Sequence, residues 1–206
     1  MHNEKFTGDK KVALVSPTAA LEKRFVEYWV RRIPSWLETY HLTLMTLAWS
    51  AGIIGFGWLA QDNPHWLWLS SSMIFLQWLT DCFDGAVGRL RNTGLVKWGF
   101  YMDHLLDYFF MGSIFVGLAF LLEGLAQVLM FILMLVYGGL EASAWLAFAA
   151  TNKFKITFLG AGPTEVRLLF IAVQTAIIFF STAWLSAALP WVLGASLLAI
   201  GWIAYN

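Results

Sequence analysis

From Tyr40 to Ala60 the chain runs without a single Asp, Glu, Lys or Arg, and five further apolar runs follow it, from His65 to Val87, Gly99 to Leu122, Leu125 to Ala150, Glu165 to Ala187 and Leu189 to Tyr205. A helix needs about 20 apolar residues to cross a hydrocarbon core, and each run is close to that length. With 59% of its residues hydrophobic, the chain belongs in a bilayer, because buried backbone there must be satisfied within helices. The expected fold is an all-α membrane protein of six transmembrane helices, a single domain over 1–206. Its first part, 1–37, is a cytoplasmic and interfacial segment, and 38–206 forms the bundle. Expected turns fall at Gln61 to Pro64, at Glu123 and Gly124, and at Ala188 to Pro190.

Those turns contain no Lys or Arg. Basic residues lie instead in the first segment (Lys5, Lys10, Lys11, Lys23, Arg24, Arg31, Arg32), around the second-to-third connection (Arg89, Arg91, Lys97) and before the fifth run (Lys153, Lys155, Arg167). In a six-span layout all of them share one face, which the positive-inside rule makes cytoplasmic, together with both termini. The early Lys and Arg also leave no apolar core of a signal peptide at the start. Leu21, Phe25, Tyr28, Trp29 and Ile33 recur at helical spacing among charges, the pattern of an amphipathic helix lying in the interface. Trp66, Trp68, Trp184, Trp191 and Trp202 stand near run ends as interfacial anchors. Cys82 is the sole cysteine, so no internal disulfide and no thiol metal cluster forms.

Four carboxylates interrupt the apolar runs. Asp81 and Asp84 are spaced i,i+3 at the end of the second, and Asp103 and Asp107 are spaced i,i+4 inside the third, so each pair shares a helical face. Carboxylates in membrane helices are expensive and are functional by default. Four converging anions need a cation, and ligation by oxygen alone favours Mg2+, Mn2+ or Ca2+ over zinc or copper. Gly85, Gly88, Gly94 and Gly99 allow a close approach by helix or ligand, and Arg89 and Arg91 offer guanidinium groups for phosphate at the cytoplasmic mouth. Close helix packing and topology explain the same glycines and arginines equally well. A proton or cation pathway, as in a transporter, remains the alternative for the Asp cluster.

Residues 81 to 107 read DCFDGAVGRLRNTGLVKWGFYMDHLLD. This resembles the signature of the CDP-alcohol phosphatidyltransferase family, D-x2-D-G-x2-A-R followed by G-x3-D-x3-D. Asp81, Asp84, Gly85, Arg89, Gly99, Asp103 and Asp107 fit, and Gly88 stands where the family has Ala. The resemblance implies a six-helix fold, often dimeric, that transfers a substituted phosphate from a CDP-linked donor to a hydroxyl acceptor with release of CMP. It implies two divalent ions, Mg2+ or Mn2+, on Asp81, Asp84, Asp103 and Asp107, with Asp107 also the base. Asp84, Gly85, Gly88, Arg89 and Gly99 would line the donor. No nucleic-acid partner is expected.

The stretch Gly160-Ala-Gly-Pro-Thr-Glu-Val-Arg167 opens the fifth run, with Pro163 and Glu165 placed as a helix start prefers. Arg91, Lys97, Glu165 and Arg167 are further candidates for phosphate or acceptor contacts, while His104 beside Asp103 reads more readily as an interfacial His with no metal role than as a supporting partner. Two chemistries share the signature: CDP-diacylglycerol donating to a polar alcohol, and CDP-choline or CDP-ethanolamine donating to diacylglycerol. Asp103-His104 and Thr164-Glu165-Val166 resemble the choline and ethanolamine enzymes, whereas the short chain resembles the phosphatidyl-transferring ones.

Overall fold

The structure, a computed structural model, describes residues 18–92, 95–151 and 162–205. Among these the regular structure is all helix, with no strand. Seven α-helices follow in order: α1 (Ala19–Trp29), α2 (Thr39–Leu59), α3 (Leu67–Arg91), α4 (Val96–Ala119), α5 (Gly124–Thr151), α6 (Pro163–Phe180) and α7 (Ala183–Tyr205). Within the described residues α2, α5, α6 and α7 are long and apolar enough to cross a membrane. The helices α3 and α4 are longer than the roughly 20 residues a span takes. Their hydropathy is lowered by the residues that make them interesting, Gln77, Thr80, Asp81 and Asp84 on one and Asp103, His104 and Asp107 on the other.

Between α1 and α2 the chain is turned by Pro34, which holds Ile33 extended (φ −68°, ψ 126°) and so ends the short helical turn Val30–Arg32. Glu38 and His41 then cap α2 reciprocally, the backbone N–H of Glu38 donating to His41 Nδ1 at 3.1 Å. Asn92 takes a left-handed conformation (φ 54°, ψ 43°) and stops α3, a role Asn tolerates better than most side chains. The α4–α5 turn uses Gly124 at φ +56°, where a side chain would be strained.

The last connection differs from the sequence expectation. The turn lies at Ser181 and Thr182, and Ala188 to Pro190 are inside α7. Ser181 adopts φ 61°, ψ −173°, which no helix can continue, and the carbonyl of Thr182 accepts the Ser186 N–H as α7 begins. Pro190 removes one backbone donor from α7, a defect that membrane helices accommodate, so it does not end the helix.

The helix α2 packs along both α3 and α4, α3 packs on α6, and α5 on α4 and α7. Ile53, Ile74, Phe110, Ile114, Leu118, Met130, Ile177 and Leu189 meet in the common interior. Lipid tails are as apolar as these side chains, so close packing rather than exclusion of water selects this arrangement. A close approach of α2 and α4 is at Gly57 and Gly117. A Cβ on Gly57 would lie 2.6 Å from the Gly117 Cα. This contact sets α2 directly against α4 and fixes where the Asp-bearing helix stands.

Candidate active site

In α3 one helical turn separates Gln77 from Asp81, and in α4 one turn separates Asp103 from Asp107, so both faces look into the same space. Carboxylate oxygens of Asp81, Asp103 and Asp107 all lie within 4.8 Å of one another. Three anionic oxygens at that spacing, with no nitrogen or sulfur among them, form a donor set that fits a hard divalent ion such as Mg2+ or Mn2+.

Asp84 stands apart from this trio. It is buried, and its Oδ2 accepts the Thr43 hydroxyl of α2 at 3.0 Å, while its Oδ1 accepts the Gly85 backbone N–H. The structure therefore brings together three of the four sequence-predicted carboxylates and ties the fourth to α2.

The guanidinium of Arg167 enters from the first turn and a half of α6. Its Nη2 lies 3.1 Å from Asp81 Oδ2 and 3.3 Å from Asp107 Oδ1, and its Nε donates to Gln77 Oε1 at 2.7 Å. Gln77, fully buried, donates in turn from Nε2 to Asp107 Oδ1 at 3.4 Å. The planar guanidinium thus joins α3, α4 and α6 at one point, with the Phe110 ring 5.5 Å from its Cζ. Further along the same helix pair, Gln174 of α6 bonds to Ser70 and Ser71 of α3 at 2.9 and 2.7 Å, all three buried in the interior.

The remaining predicted residues divide. Arg89 runs alongside Gly85, where an added Cβ would lie 3.2 Å from its Nη1. Around Gly99 a Cβ would meet nothing within 4 Å, so this glycine is not needed for helix packing and leaves room beside Asp103. Gly88 is partly buried and Lys97 exposed. Arg91 does not face the carboxylates. It pairs with Glu38 at 3.4 Å and donates to the carbonyls of Ile33, Pro34, Ser35 and Leu37, oxygens that the Pro34 turn leaves without helical partners.

Glu165 acts as a cap and a clasp. Its Oε2 accepts the Gly162 N–H at 2.9 Å, and its Oε1 accepts the Thr18 hydroxyl at 2.7 Å. His104 is held by its Nδ1 against the Phe100 carbonyl at 2.6 Å. Gly94, Lys153, Lys155, Gly160 and the lysines before residue 18 lie outside the described residues.

Beside Arg167 a cavity of about 320 Å³ opens between α1, α3 and α6. Its walls are Leu21, Phe25, Ile74, Phe75, Trp78, Leu168 and Ile171, and its polar rim is Thr18, Glu22, Thr164 and Arg167. Thr164 ties the rim together, donating to Glu22 Oε2 at 2.7 Å and accepting from Trp78 Nε1 at 3.3 Å.

Sequence reasoning missed Gln77 and Thr43. Gln77 carried a usable signal, a polar side chain within an apolar run. Thr43 carried none, because a Thr in such a run most often bonds its own helix, as Thr43 also does to the Thr39 carbonyl.

No curated protein and no solved structure gives a match to the chain. The family model described as CDP-alcohol phosphatidyltransferase matches residues 34–203, a stretch that includes α2, α3, α4, α5 and α6 and nearly all of α7. With the signature residues placed on facing turns of α3 and α4, and with that match running over most of its length, the chain belongs to the CDP-alcohol phosphatidyltransferase family.

Proposed function

We propose that this protein is a membrane phosphotransferase of phospholipid synthesis that moves a substituted phosphate from a CDP-linked donor to an alcohol hydroxyl, releasing CMP. The observation that carries this reading is the convergence of Asp81, Asp103 and Asp107 beside a buried Arg167 in a chain of this family. Membership of the family gives the reaction class, and the donor set gives the chemistry a place to occur.

In this reading Asp81, Asp103 and Asp107 hold divalent metal, Mg2+ or Mn2+, with Asp84 completing a second position. Bound metal would neutralise the diphosphate and the charge that grows on the departing CMP. Gly85, Gly88 and Gly99 leave space for the nucleotide, and Arg89 lies on the same turn to meet a phosphate. Arg167, held by Gln77, offers its guanidinium to the oxygens of the reacting phosphate. The acceptor oxygen attacks that phosphorus, the bond to the CMP oxygen breaks, and the acceptor proton passes to Asp107. Gln77 orients Asp107 for this step through its amide.

One substrate is a lipid, and the cavity beside Arg167 suits an acyl chain because its walls are apolar and its polar rim lies at the reacting end. The clasps Thr18–Glu165 and Thr164–Glu22 hold α1 over that opening. In the bilayer all of α2 to α7 span, and α1 lies in the interface, where its exposed Leu21, Tyr28 and Trp29 meet lipid. The distribution of Lys and Arg puts the termini and the active site on the cytoplasmic side. The resemblance implies a fold that is often dimeric, and a homodimer of the bundle is part of this reading.

An ion pathway would call for helices broken at the charged cluster, whereas α3 and α4 run unbroken through all four Asp positions. The test is CMP release by the purified protein in detergent with Mg2+, offering CDP-diacylglycerol with polar alcohols and, separately, CDP-choline or CDP-ethanolamine with diacylglycerol. CMP from one donor, lost with Asp103→Asn, supports the reading; no CMP from any donor while metal still binds overturns it.

A further inference from the structure

A further carboxylate lies in the bundle, and neither the family signature nor the metal trio uses it. Glu141 is in the middle of α5, where an acidic side chain is as expensive as in α3 or α4. Its Oε2 is shut off from solvent and has no hydrogen-bond partner. The ion pairs of the described residues go to Glu27, Glu38, Asp81 and Asp107, so no Lys, Arg or His within them answers Glu141. It is also outside the group of carboxylates spaced for a metal ion. Such an oxygen calls for a donor from outside the chain.

The surroundings narrow what that donor is. Tyr137, Glu141 and Trp145 follow at one-turn intervals on α5, and this face turns to α4. The Trp145 ring meets Tyr108 at 6.4 Å and His104 at 6.5 Å between centroids. Gly138 lets Tyr108 close on α5, since a Cβ there would lie 3.0 Å from its ring. The Tyr137 hydroxyl donates to the Glu141 carboxylate, and a second oxygen without a partner, on a helix face that carries aromatic rings, is a setting for an organic ammonium group, which gains both an ion pair and the negative faces of the rings.

Building on the phosphotransferase reading, we infer that Glu141 with Tyr137, Tyr108 and Trp145 forms a subsite for the ammonium group of an amino alcohol, which places that alcohol's oxygen against Asp107. The group arrives either on the free alcohol as acceptor or on a CDP-linked amino alcohol as donor. Glu141 therefore sets specificity: it favours a cationic headgroup over a neutral polyol of similar size.

The test compares wild type, Glu141→Gln and Glu141→Asp. CMP release is measured with CDP-diacylglycerol plus ethanolamine, choline or glycerol, and with CDP-ethanolamine or CDP-choline plus diacylglycerol. Saturation-transfer NMR with choline and glycerol reads binding without turnover. Wild type should prefer the ammonium compound, and Glu141→Gln should cut that preference about tenfold or more, mainly through KM, while Glu141→Asp keeps most of it. The active arm tells whether the headgroup enters free or CDP-linked. Equal loss for glycerol and the ammonium alcohols in Glu141→Gln, an unchanged preference, or no choline signal in wild type would overturn the subsite while leaving phosphotransfer intact. A choline signal lost in Glu141→Gln, with no CMP in any arm, would keep the subsite and remove the phosphotransferase reading.

Discussion

Arg167 Nη2 stands 3.1 Å from Asp81 Oδ2, an ion pair that fastens α6 to α3 through a guanidinium only 5% exposed. The same nitrogen reaches Asp107 of α4, so one side chain of α6 fixes the separation of the two Asp-bearing helices. Removing it leaves carboxylates crowded without their protein counter-charge. Replacing Arg167 with Gln should lower CMP release by about a hundredfold or more, and should destabilise the bundle by roughly 3 kcal/mol or more, the cost of breaking a buried pair. Lys keeps the charge but not the fork that reaches Gln77 and both Asp residues, so Arg167→Lys should restore stability better than activity. Steady-state assays and unfolding in mixed micelles measure the two effects separately.

Thr43 is the side chain that holds Asp84, and it does so from a third helix. Thr43→Val keeps the shape and removes the hydroxyl, leaving a buried carboxylate oxygen short of a donor at a cost of about 1–3 kcal/mol. The expected result is a lower unfolding midpoint together with a clear fall in turnover, with Thr43→Ser recovering most of both. Unchanged turnover in Thr43→Val would separate Asp84 from the chemistry.

Gly57 offers a test of the frame rather than the site. An alanine there would collide with the Gly117 backbone and push α2 from α4, whereas an alanine at Gly55, where a Cβ meets nothing within 4 Å, would not. Gly57→Ala should cost about 1–3 kcal/mol and reduce activity, because α4 carries Asp103 and Asp107. Gly55→Ala should leave both nearly as in wild type.

Metal binding should depend on the trio directly. Loss of one carboxylate from three, as in Asp103→Asn, should weaken Mn2+ binding at least about tenfold by electron paramagnetic resonance. Chelation of the wild type should stop CMP release, and added Mg2+ or Mn2+ should restore it.

What the sequence made legible follows from cost. Asp81, Asp103 and Asp107 stand out because each interrupts an apolar run at a spacing that shares a face with a second acid, and α3 and α4 place them together. Glu141 pays the same penalty but has no acidic neighbour at helical spacing, so a search for pairs passes over it. Gln77 is one turn from Asp81, yet its partner Arg167 is 90 residues away, and only packing of α6 on α3 unites them. Arg91 resembles a phosphate ligand by position, but its fate is set by four carbonyls that the Pro34 turn exposes far back in the chain. Pro190 looks like a boundary because proline breaks soluble helices. In α7 the boundary is Ser181, whose backbone conformation no residue-by-residue propensity reveals.

The most direct measurement of the central claim is CMP release by the purified protein, offered each CDP-linked donor with its matching acceptor in Mg2+, in parallel with Asp107→Asn. The account predicts CMP with one donor class, abolished in the variant with donor still bound and even at Mg2+ concentrations that saturate its weakened metal site. CMP release that persists in Asp107→Asn would remove that residue as the base, and its absence from the wild type with every donor would contradict the phosphotransferase assignment.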